Sequence, residues 1–306
     1  SITPLTLKIG NYQLHSMPTG LFGLDGGAMF GTVPKVLWQQ AIPPDTHNRI
    51  PMEARSLLLR SSPGLEDSKN ILIDVGNGGF FTEKYGNKIG PKFQEMYNIA
   101  TDGDSLQKSL LRASLTPEQI TDVVLTHLHF DHAGGATKAV IAPSTSVQVV
   151  PSFSNAKYWL QKQNLMTAQK PNIRERSSYF AANFQPLLDN SQLQLLEGLE
   201  SNFLPGLSCF ISNGHTQGHQ SLIITDGQTT VVYCGDVIPT SAHVRLAWIM
   251  GYDLDALKII EEKQRLLSQA AKQGWFLFFE HDPLCELCTV IENGNDFAVK
   301  DRYILN

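Results

Sequence analysis

The chain has little cysteine, no long apolar run and no excess of basic residues, and each absence excludes a class of protein. Its four cysteines, in 306 residues, are too few and too scattered for a disulfide scaffold. Only Cys285 and Cys288 have a motif-like spacing, and a zinc ribbon would need a second such pair. We therefore expect buried free thiols. No apolar run of about 18 residues occurs, so the sequence predicts no membrane-spanning helix.

A basic excess is also missing. Lys and Arg total 24 against 29 Asp and Glu, a formal net charge of −5, whereas nucleic-acid binders are usually basic. The first residues lack the charged and then apolar pattern of a signal peptide. We expect a cytoplasmic protein that acts on a small molecule, without a nucleic-acid or membrane partner. A homodimer and a signal peptide removed before Ser1 are left open.

The chain does have enough apolar sequence, 42%, for one large α/β domain over residues 1–306. Helices are predicted at 104–113, 152–165, 179–188 and 253–273, the last with Leu254, Leu257, Ile260, Leu266 and Leu267 on one side. Short apolar or alternating segments predict strands at 5–9, 12–17, 56–60, 71–75, 121–126, 194–196, 207–212, 221–225, 229–234 and 275–280.

Turn and cap signals complete the outline. Thr116 and Gln119 fit a capping box, and Asn293-Gly294 predicts a hairpin. Residues 20–51 are rich in Gly and Pro without clear periodicity, and we expect an N-terminal capping loop there, with a helical insert at 152–190. Strands followed by helices, twice over, suggest two layered sheets with helices on their outer faces.

One segment packs three histidines and an aspartate into six positions: His127, His129, Asp131 and His132. The chain leaves a predicted buried strand in extended form, so His127 and His129 point to the same side and can share one metal ion. Asp131 and His132 lie where the chain turns and can reach a second ion. Imidazole and carboxylate are ligands for zinc or another first-row ion, with Fe, Mn or Co as alternatives.

Further candidate ligands follow three later predicted strands. His215 and His219 lie in the segment Gly-His-Thr-Gln-Gly-His, Asp236 follows a strand, and so does His281. Ligands at strand ends rest on rigid elements, as a metal site requires. With the first motif they supply enough ligands for two ions.

This set of motifs resembles the metallo-β-lactamase superfamily over most of the chain. The resemblance implies an αββα sandwich, with two mixed sheets, helices outside and a dinuclear site at one sheet edge. It also implies the ligand sets: for metal 1 His127, His129 and His215; for metal 2 Asp131, His132 and His281; and Asp236 as the bridge. Asp74, in an early Asp-Val-Gly turn, would orient a ligand. His219 would be structural or orienting.

Within the superfamily, Asp236 and His132 favour the hydrolytic branch. The layout is most similar to quorum-quenching lactonases and organophosphate hydrolases. Short lactonases of the family carry a tyrosine three positions after the bridging aspartate, where this chain has Pro239. The resemblance therefore predicts hydrolase chemistry more directly than lactonase activity.

The predicted reaction is hydrolysis of a lactone, carboxylester, thioester or phosphoester by a hydroxide that bridges two metal ions. Asp131 would accept the proton of the nucleophile. The side chains expected to form the substrate pocket are mostly apolar or aromatic: Met29, Phe30, Trp38, His243, Arg245 and Trp248, with Met250 and Tyr252 as further candidates. The alternatives are a mononuclear iron dioxygenase of the persulfide type and a metal-bound sensor or inactive scaffold.

Overall fold

The computed structural model describes residues 1–103, 105–144, 146–198 and 202–306. Its α-helices, α1 to α9, are Gly26–Phe30, Lys35–Ala41, Phe81–Tyr85, Gly90–Met96, Leu106–Arg112, Phe130–Ala133, Lys162–Gln169, Gln185–Asp189 and Ala256–Gln273. Its strands, β1 to β16, are Ile2–Leu5, Lys8–Ile9, Tyr12–Asp25, Arg49–Ser61, Asn70–Ile73, Asp122–Val124, Thr137–Ile141, Val147–Pro151, Lys157–Gln161, Leu193–Leu196, Leu207–Ser212, His219–Thr225, Thr230–Tyr233, Phe276–Phe278, Leu287–Asn293 and Asp296–Leu305.

One mixed sheet has the strand order β1-β16-β15-β14-β13-β12-β11. Strand β1 is parallel to β16 and β13 is parallel to β14, while the other neighbours are antiparallel. Asn293 pairs with Asp296, and Gly294 between them has a φ of 62°, which glycine adopts at little cost. The predicted hairpin is therefore confirmed.

The other mixed sheet has the order β10-β9-β6-β5-β4-β3-β2, and β7 and β8 form a separate antiparallel pair. Strands β5, β6, β9 and β10 are parallel, and β6 is buried along its whole length. Because His127 follows β6 after two residues, the first ligand motif begins at the carboxyl end of a buried parallel strand. The α/β prediction with two mixed sheets is confirmed.

Two local predictions are wrong. Residues 157–161, predicted as part of a helix, form strand β9 between β6 and β10, because aromatic Tyr158 and Trp159 suit a strand and pairing with β6 outweighs the helical pattern. Residues 20–51 are not an irregular loop, since they contain α1, α2 and the ends of β3 and β4. Asp25 caps α1 by accepting a hydrogen bond from the Ala28 backbone.

The other predicted helices are found in shortened form. Helix α5 begins at Leu106, and Asp104 lies outside the described residues. Within 179–188 the structure has a short 3-10 helix, Ala181–Asn183, and part of α8. The capping box of Thr116 and Gln119 is present.

The predicted apolar face of α9 needs a correction. Leu257 is 81% exposed, and Leu254 precedes the helix. The face that packs inward carries apolar and charged side chains together: Ile259, Glu262, Lys263, Leu266, Leu267 and Ala270. Glu262 and Lys263 are buried because both form hydrogen bonds with backbone groups of nearby loops.

The contacts within the chain group it into two compact units. The first comprises 1–16, 23–53 and 198–306, and the second comprises 17–22 and 54–197. Each unit has its own apolar core, for example around Leu277 in the first and Val123 in the second. A single domain over 1–306 stays a prediction.

Two predicted absences concern membrane helices and disulfides. Among the described residues, no α-helix combines the length and the apolar character needed to cross a membrane. The predicted free thiols are confirmed, because Cys209, Cys234, Cys285 and Cys288 are all buried and unbridged.

Candidate metal centre

Four of the predicted ligands lie in the second unit, and we call them the compact group: His127, His129, Asp131 and His132. The motif enters helix α6 at His129, which is its N-cap residue. The four side chains are at most 8% exposed. The ring centroid of His127 lies 4.0 Å from that of His132 and 4.5 Å from that of His129. Nε2 of His132 lies 3.4 Å from Oδ2 of Asp131.

Asp74 is connected by hydrogen bonds to two histidines of the compact group. It follows β5, is fully buried and has a φ of 55°. Its Oδ2 accepts hydrogen bonds from Nδ1 of His132 at 2.8 Å and from Oγ1 of Thr126 at 2.7 Å. That hydroxyl in turn lies 2.9 Å from Nδ1 of His127. Because both rings are held at Nδ1, Nε2 is the atom that each can offer to a metal ion.

His129 is held in the opposite way, by a residue that the sequence did not indicate. Its Nε2 lies 3.1 Å from Oε1 of Glu175, which is 4% exposed. Coordination by His129 would therefore use Nδ1. Glu175 has no local signal in the sequence, because it stands between Arg174 and Arg176, both exposed, in a polar stretch.

Three predicted ligands lie in the first unit, and we call them the dispersed group: His215, Asp236 and His281. They follow strands β11, β13 and β14 and are at most 5% exposed. Oδ2 of Asp236 lies 3.0 Å from Nε2 of His215, and Oδ1 lies 3.1 Å from Nε2 of His281. The two oxygens of one carboxylate thus face two different imidazoles.

The histidines of the dispersed group are also held at Nδ1. In His215 this atom lies 2.8 Å from Oδ1 of Asp253, and in His281 it lies 2.7 Å from the backbone oxygen of Glu53. Burial alone would lower the pKa of His215, but the carboxylates of Asp236 and Asp253 raise it to about 10. Asp253, at the loop before α9, is a second orienting residue that the sequence did not indicate.

His219 supports Asp236 from strand β12. Its Nδ1 lies 2.9 Å from Oγ of Ser212, and its Nε2 accepts a hydrogen bond from the backbone N–H of Asp236 at 3.0 Å. Both ring nitrogens thus take part in hydrogen bonds within the unit, and an orienting role for His219 stays a prediction.

The donor set of each group fits a divalent cation. Within the compact group, ligand atoms of His127 and His129 lie within 4.8 Å of one another, and the same holds for Asp131 and His132. Asp236 meets the same limit with each histidine of the dispersed group. Imidazole nitrogens and carboxylate oxygens, buried and fixed by a hydrogen bond at the remote ring atom, are the ligands that zinc and similar ions prefer.

The residues predicted to line a substrate pocket form an aromatic stack in the first unit. The Phe30 ring stacks on Trp38 at 5.3 Å and on His243 at 4.6 Å, and Trp248 meets its edge at 5.8 Å. Met29, Phe30, Trp38 and His243 are at most 2% exposed. These are packing contacts, and a role in substrate binding stays a prediction.

The other pocket candidates lie around this stack. Nε2 of His243 donates to the backbone oxygen of Met29 at 2.8 Å, and burial lowers the pKa of His243 to about 3, so the ring is neutral. Exposed Arg245 lies over the Trp248 ring at 4.8 Å. Met250 is buried, and Tyr252 is 39% exposed.

A second aromatic cluster, which the sequence analysis missed, lies beside the compact group. Phe130 stands between two predicted ligands and meets Phe93 at 4.8 Å and Tyr97 at 5.0 Å. Burial raises the pKa of Tyr97, and the negative charge of Asp131 raises it further. The members of this cluster lie on α3, α4 and α6, just after α4, and just before the 3-10 helix Ala181–Asn183. They are Phe81, Tyr85, Phe93, Tyr97, Ile99, Phe130 and Phe180.

The family model of the metallo-beta-lactamase superfamily matches residues 56–281, and the chain belongs to this superfamily. It is 29% identical, over 88% of its length and 93% of the relative's, to an N-acyl homoserine lactonase of Bacillus cereus. A probable metal-dependent hydrolase from Staphylococcus aureus is 28% identical, with a TM-score of 0.82 and coverage of 97% and 98%. The dizinc quorum-quenching lactonase AidC shares the fold at 20% identity, with a TM-score of 0.74 and 99% coverage of both chains.

Proposed function

We propose that this protein is a dinuclear metallohydrolase that cleaves an ester-like bond in a small apolar substrate. Asp236 carries the proposal, because its two oxygens face His215 and His281 separately, at 3.0 and 3.1 Å. A carboxylate with this geometry is suited to bridging two ions. In this assignment His127, His129 and His215 would hold one ion, Asp131, His132 and His281 would hold the other, and Asp236 would contribute an oxygen to each.

The reaction would place distinct demands on the chain. When bound, two divalent ions would activate a water and polarise the scissile oxygen, which makes a Ser or Cys nucleophile unnecessary. Asp131 would accept a proton from that water and pass it to the leaving group, since its carboxylate lies at the compact group and is 7% exposed. Asp74, Glu175 and Asp253 would keep the histidine rings in place.

The substrate class is inferred from the relatives and the aromatic cluster beside Asp131. The Bacillus cereus relative is an N-acyl homoserine lactonase, and AidC has been crystallised with an N-acyl homoserine product. Phe130, Phe93 and Tyr97 suit an acyl or aryl group better than a bare phosphate. Lactones and carboxylesters are therefore the leading candidates, ahead of thioesters and phosphoesters, although Pro239 replaces the tyrosine of short lactonases.

The deciding experiment combines metal quantification with a substrate panel. Purified protein should contain about two Zn-type ions per chain and hydrolyse members of a panel of lactones, aryl esters, thioesters and phosphotriesters, with activity lost to a chelator and restored by zinc. Asp236→Ala should bind less metal than the wild type, and Asp301→Ala, at an exposed position on β16, is its control. One iron per chain with oxygen uptake would favour the persulfide-dioxygenase alternative, and bound metal without turnover would favour a sensor.

A further inference from the structure

We infer that Glu175 is a positioning residue whose carboxylate fixes the ring of His129 and thereby sets the metal affinity of the compact group. The inference rests on the proposed metal centre, because it concerns how one proposed ligand is held. It assigns a function to a residue in the middle of the predicted helical insert, at 152–190.

The central contact joins two buried side chains. Nε2 of His129 donates to Oε1 of Glu175 at 3.1 Å, and the residues are 8% and 4% exposed. A hydrogen bond to a carboxylate at this depth is strong because little water competes for it. It also selects the tautomer, since the proton on Nε2 leaves Nδ1 as the atom suited to a metal ion.

Glu175 is itself held on its other oxygen. Oε2 accepts a hydrogen bond from Nδ2 of Asn172 at 2.9 Å, and Oδ1 of Asn172 accepts one from the Glu175 backbone N–H at 3.1 Å. The carboxylate is therefore fixed before any metal binds. Such preorganisation is what a precise ligand geometry requires from its supporting residues.

The same segment holds the backbone on both sides of His129. Oδ1 of buried Asn164 accepts a hydrogen bond from the Leu128 N–H at 2.8 Å, and the backbone oxygen of Ser178 accepts one from the Phe130 N–H at 3.0 Å. The ring of Tyr179 lies 4.5 Å from the His129 ring, and its hydroxyl accepts from Nδ2 of Asn164 at 3.0 Å. Residues 164–179 thus act as a clamp on one ligand.

A carboxylate on the remote nitrogen of a metal-bound imidazole fixes the ring orientation and raises the basicity of the ligand. Loss of such a partner typically lowers metal affinity by roughly 10–100-fold. If Glu175 served only for packing, Glu175→Gln would leave the zinc affinity unchanged, because glutamine has nearly the same shape and would preserve the packing.

The test compares Glu175→Gln with Arg176→Gln, a change at the neighbouring exposed position. Zinc affinity would be measured by competition with a chromophoric chelator, next to a thermal melt of each protein. We expect Glu175→Gln to weaken binding of at least one zinc ion by roughly 10–100-fold, with a melting temperature close to that of the wild type. Arg176→Gln should match the wild type in both measurements.

A spectroscopic readout tests the contact itself. In zinc-loaded protein with ¹⁵N-labelled histidine, the ring of His129 should show a downfield, exchange-protected Nε2 proton that Glu175→Gln shifts upfield. Wild-type zinc affinity in Glu175→Gln, or an unprotonated Nε2 in the wild type, would overturn this inference and leave the proposed function standing. A wild-type protein that binds no zinc would overturn both.

Discussion

The compact and dispersed groups position their proposed metal ligands by different architectures. The compact group places four proposed ligands within six residues on a single turn after β6, whereas the dispersed group draws three proposed ligands from the ends of three strands. In both, the histidines are held by an acceptor on the remote ring nitrogen, such as Asp74 for His132 and Asp253 for His215. The chemistry of ligand support is shared, while the architecture is not.

This difference determines what each group depends on. The geometry of the compact group is set by one turn and by the segments that clamp it, so changes there should act locally. The geometry of the dispersed group is set by strand register, and Asp236 joins its two histidines. The comparison can therefore be tested by changing one residue in each group.

The largest effect is expected at Asp236. Asp236→Ala removes a carboxylate that faces both His215 and His281, so it should lower the occupancy of two metal ions, whereas His281→Ala should lower mainly one. Turnover of Asp236→Ala should fall by more than the roughly 10²–10⁴-fold typical of losing one acid–base group. Metal analysis after dialysis checks this. Two ions retained at full affinity by Asp236→Ala would contradict the bridging role.

In the compact group, Asp131→Asn should impair turnover far more than folding. The change preserves shape but removes the negative charge and the proton acceptor, so we expect a loss of roughly 10²–10⁴-fold in kcat. Steady-state kinetics and a thermal melt would be compared with those of Asp301→Asn, an exposed aspartate. Full activity in Asp131→Asn would exclude a proton-transfer role.

The comparison also explains how much the sequence could predict. The compact group is visible as a motif because its ligands are neighbours in the chain, and the dispersed ligands could be proposed because each follows a strand signal. Their orienting partners could not be predicted. Glu175 is 46 residues from His129 and Asp253 is 38 from His215, and only the folded chain brings them together.

The secondary-structure elements that were predicted incorrectly also depend on contacts between residues distant in the chain. In strand β9, Tyr158 and Leu160 are two positions apart, as in a strand, but the helix was predicted from the longer segment 152–165, and pairing with β6 decides for the strand. Helix α1 includes Gly26 and Gly27, which are poor helix formers, and it is stabilised by its Asp25 cap and by packing. An ideal Cβ on Gly26 would lie 2.1 Å from Trp38, which shows how closely that ring packs.

This packing leads to a prediction that contrasts the aromatic residues of the two units. Trp38 is 2% exposed and stacks on Phe30, so Trp38→Ala should lower the free energy of unfolding by about 3–5 kcal/mol. Equal changes in kcat/KM for a short and a long ester with the same leaving group would mean that Trp38 has a packing role alone. Leu37→Ala, 48% exposed on the same helix, is the control for the thermal melt.

A selective loss on the long ester, with an unchanged melting temperature, would instead make Trp38 part of the substrate pocket. In that case the first unit would supply an acyl-binding surface. The aromatic cluster around Phe130 would then no longer be the leading candidate for the surface that binds the acyl or aryl group of the substrate.

The smallest expected effect concerns a buried lysine in each unit. Nζ of Lys84 donates to the backbone oxygens of Gly134 and Thr137, just after the compact group. Nζ of Lys263 donates to the backbone oxygens of Arg245, Leu246 and Trp248. Burial lowers the pKa of each lysine to about 7, although nearby carboxylates partly offset this for Lys263.

The direction of the pH effect follows from proton binding. Between pH 7 and about 10.4 the unfolded chain keeps these lysines protonated while the folded chain releases their protons, so the free energy of unfolding should rise with pH. Each lysine can contribute at most about 1.4 kcal/mol per pH unit.

Lys84→Met and Lys263→Met should each reduce the slope of the free energy of unfolding against pH, measured by urea unfolding from pH 7 to 9. The double variant should reduce this slope by the sum of the two effects. Each protein would be measured free of metal, so that pH-dependent metal binding does not enter the slope. A slope unchanged by either substitution would mean that the buried ammonium groups stay charged in the folded protein, held by their carbonyl partners against the cost of desolvation.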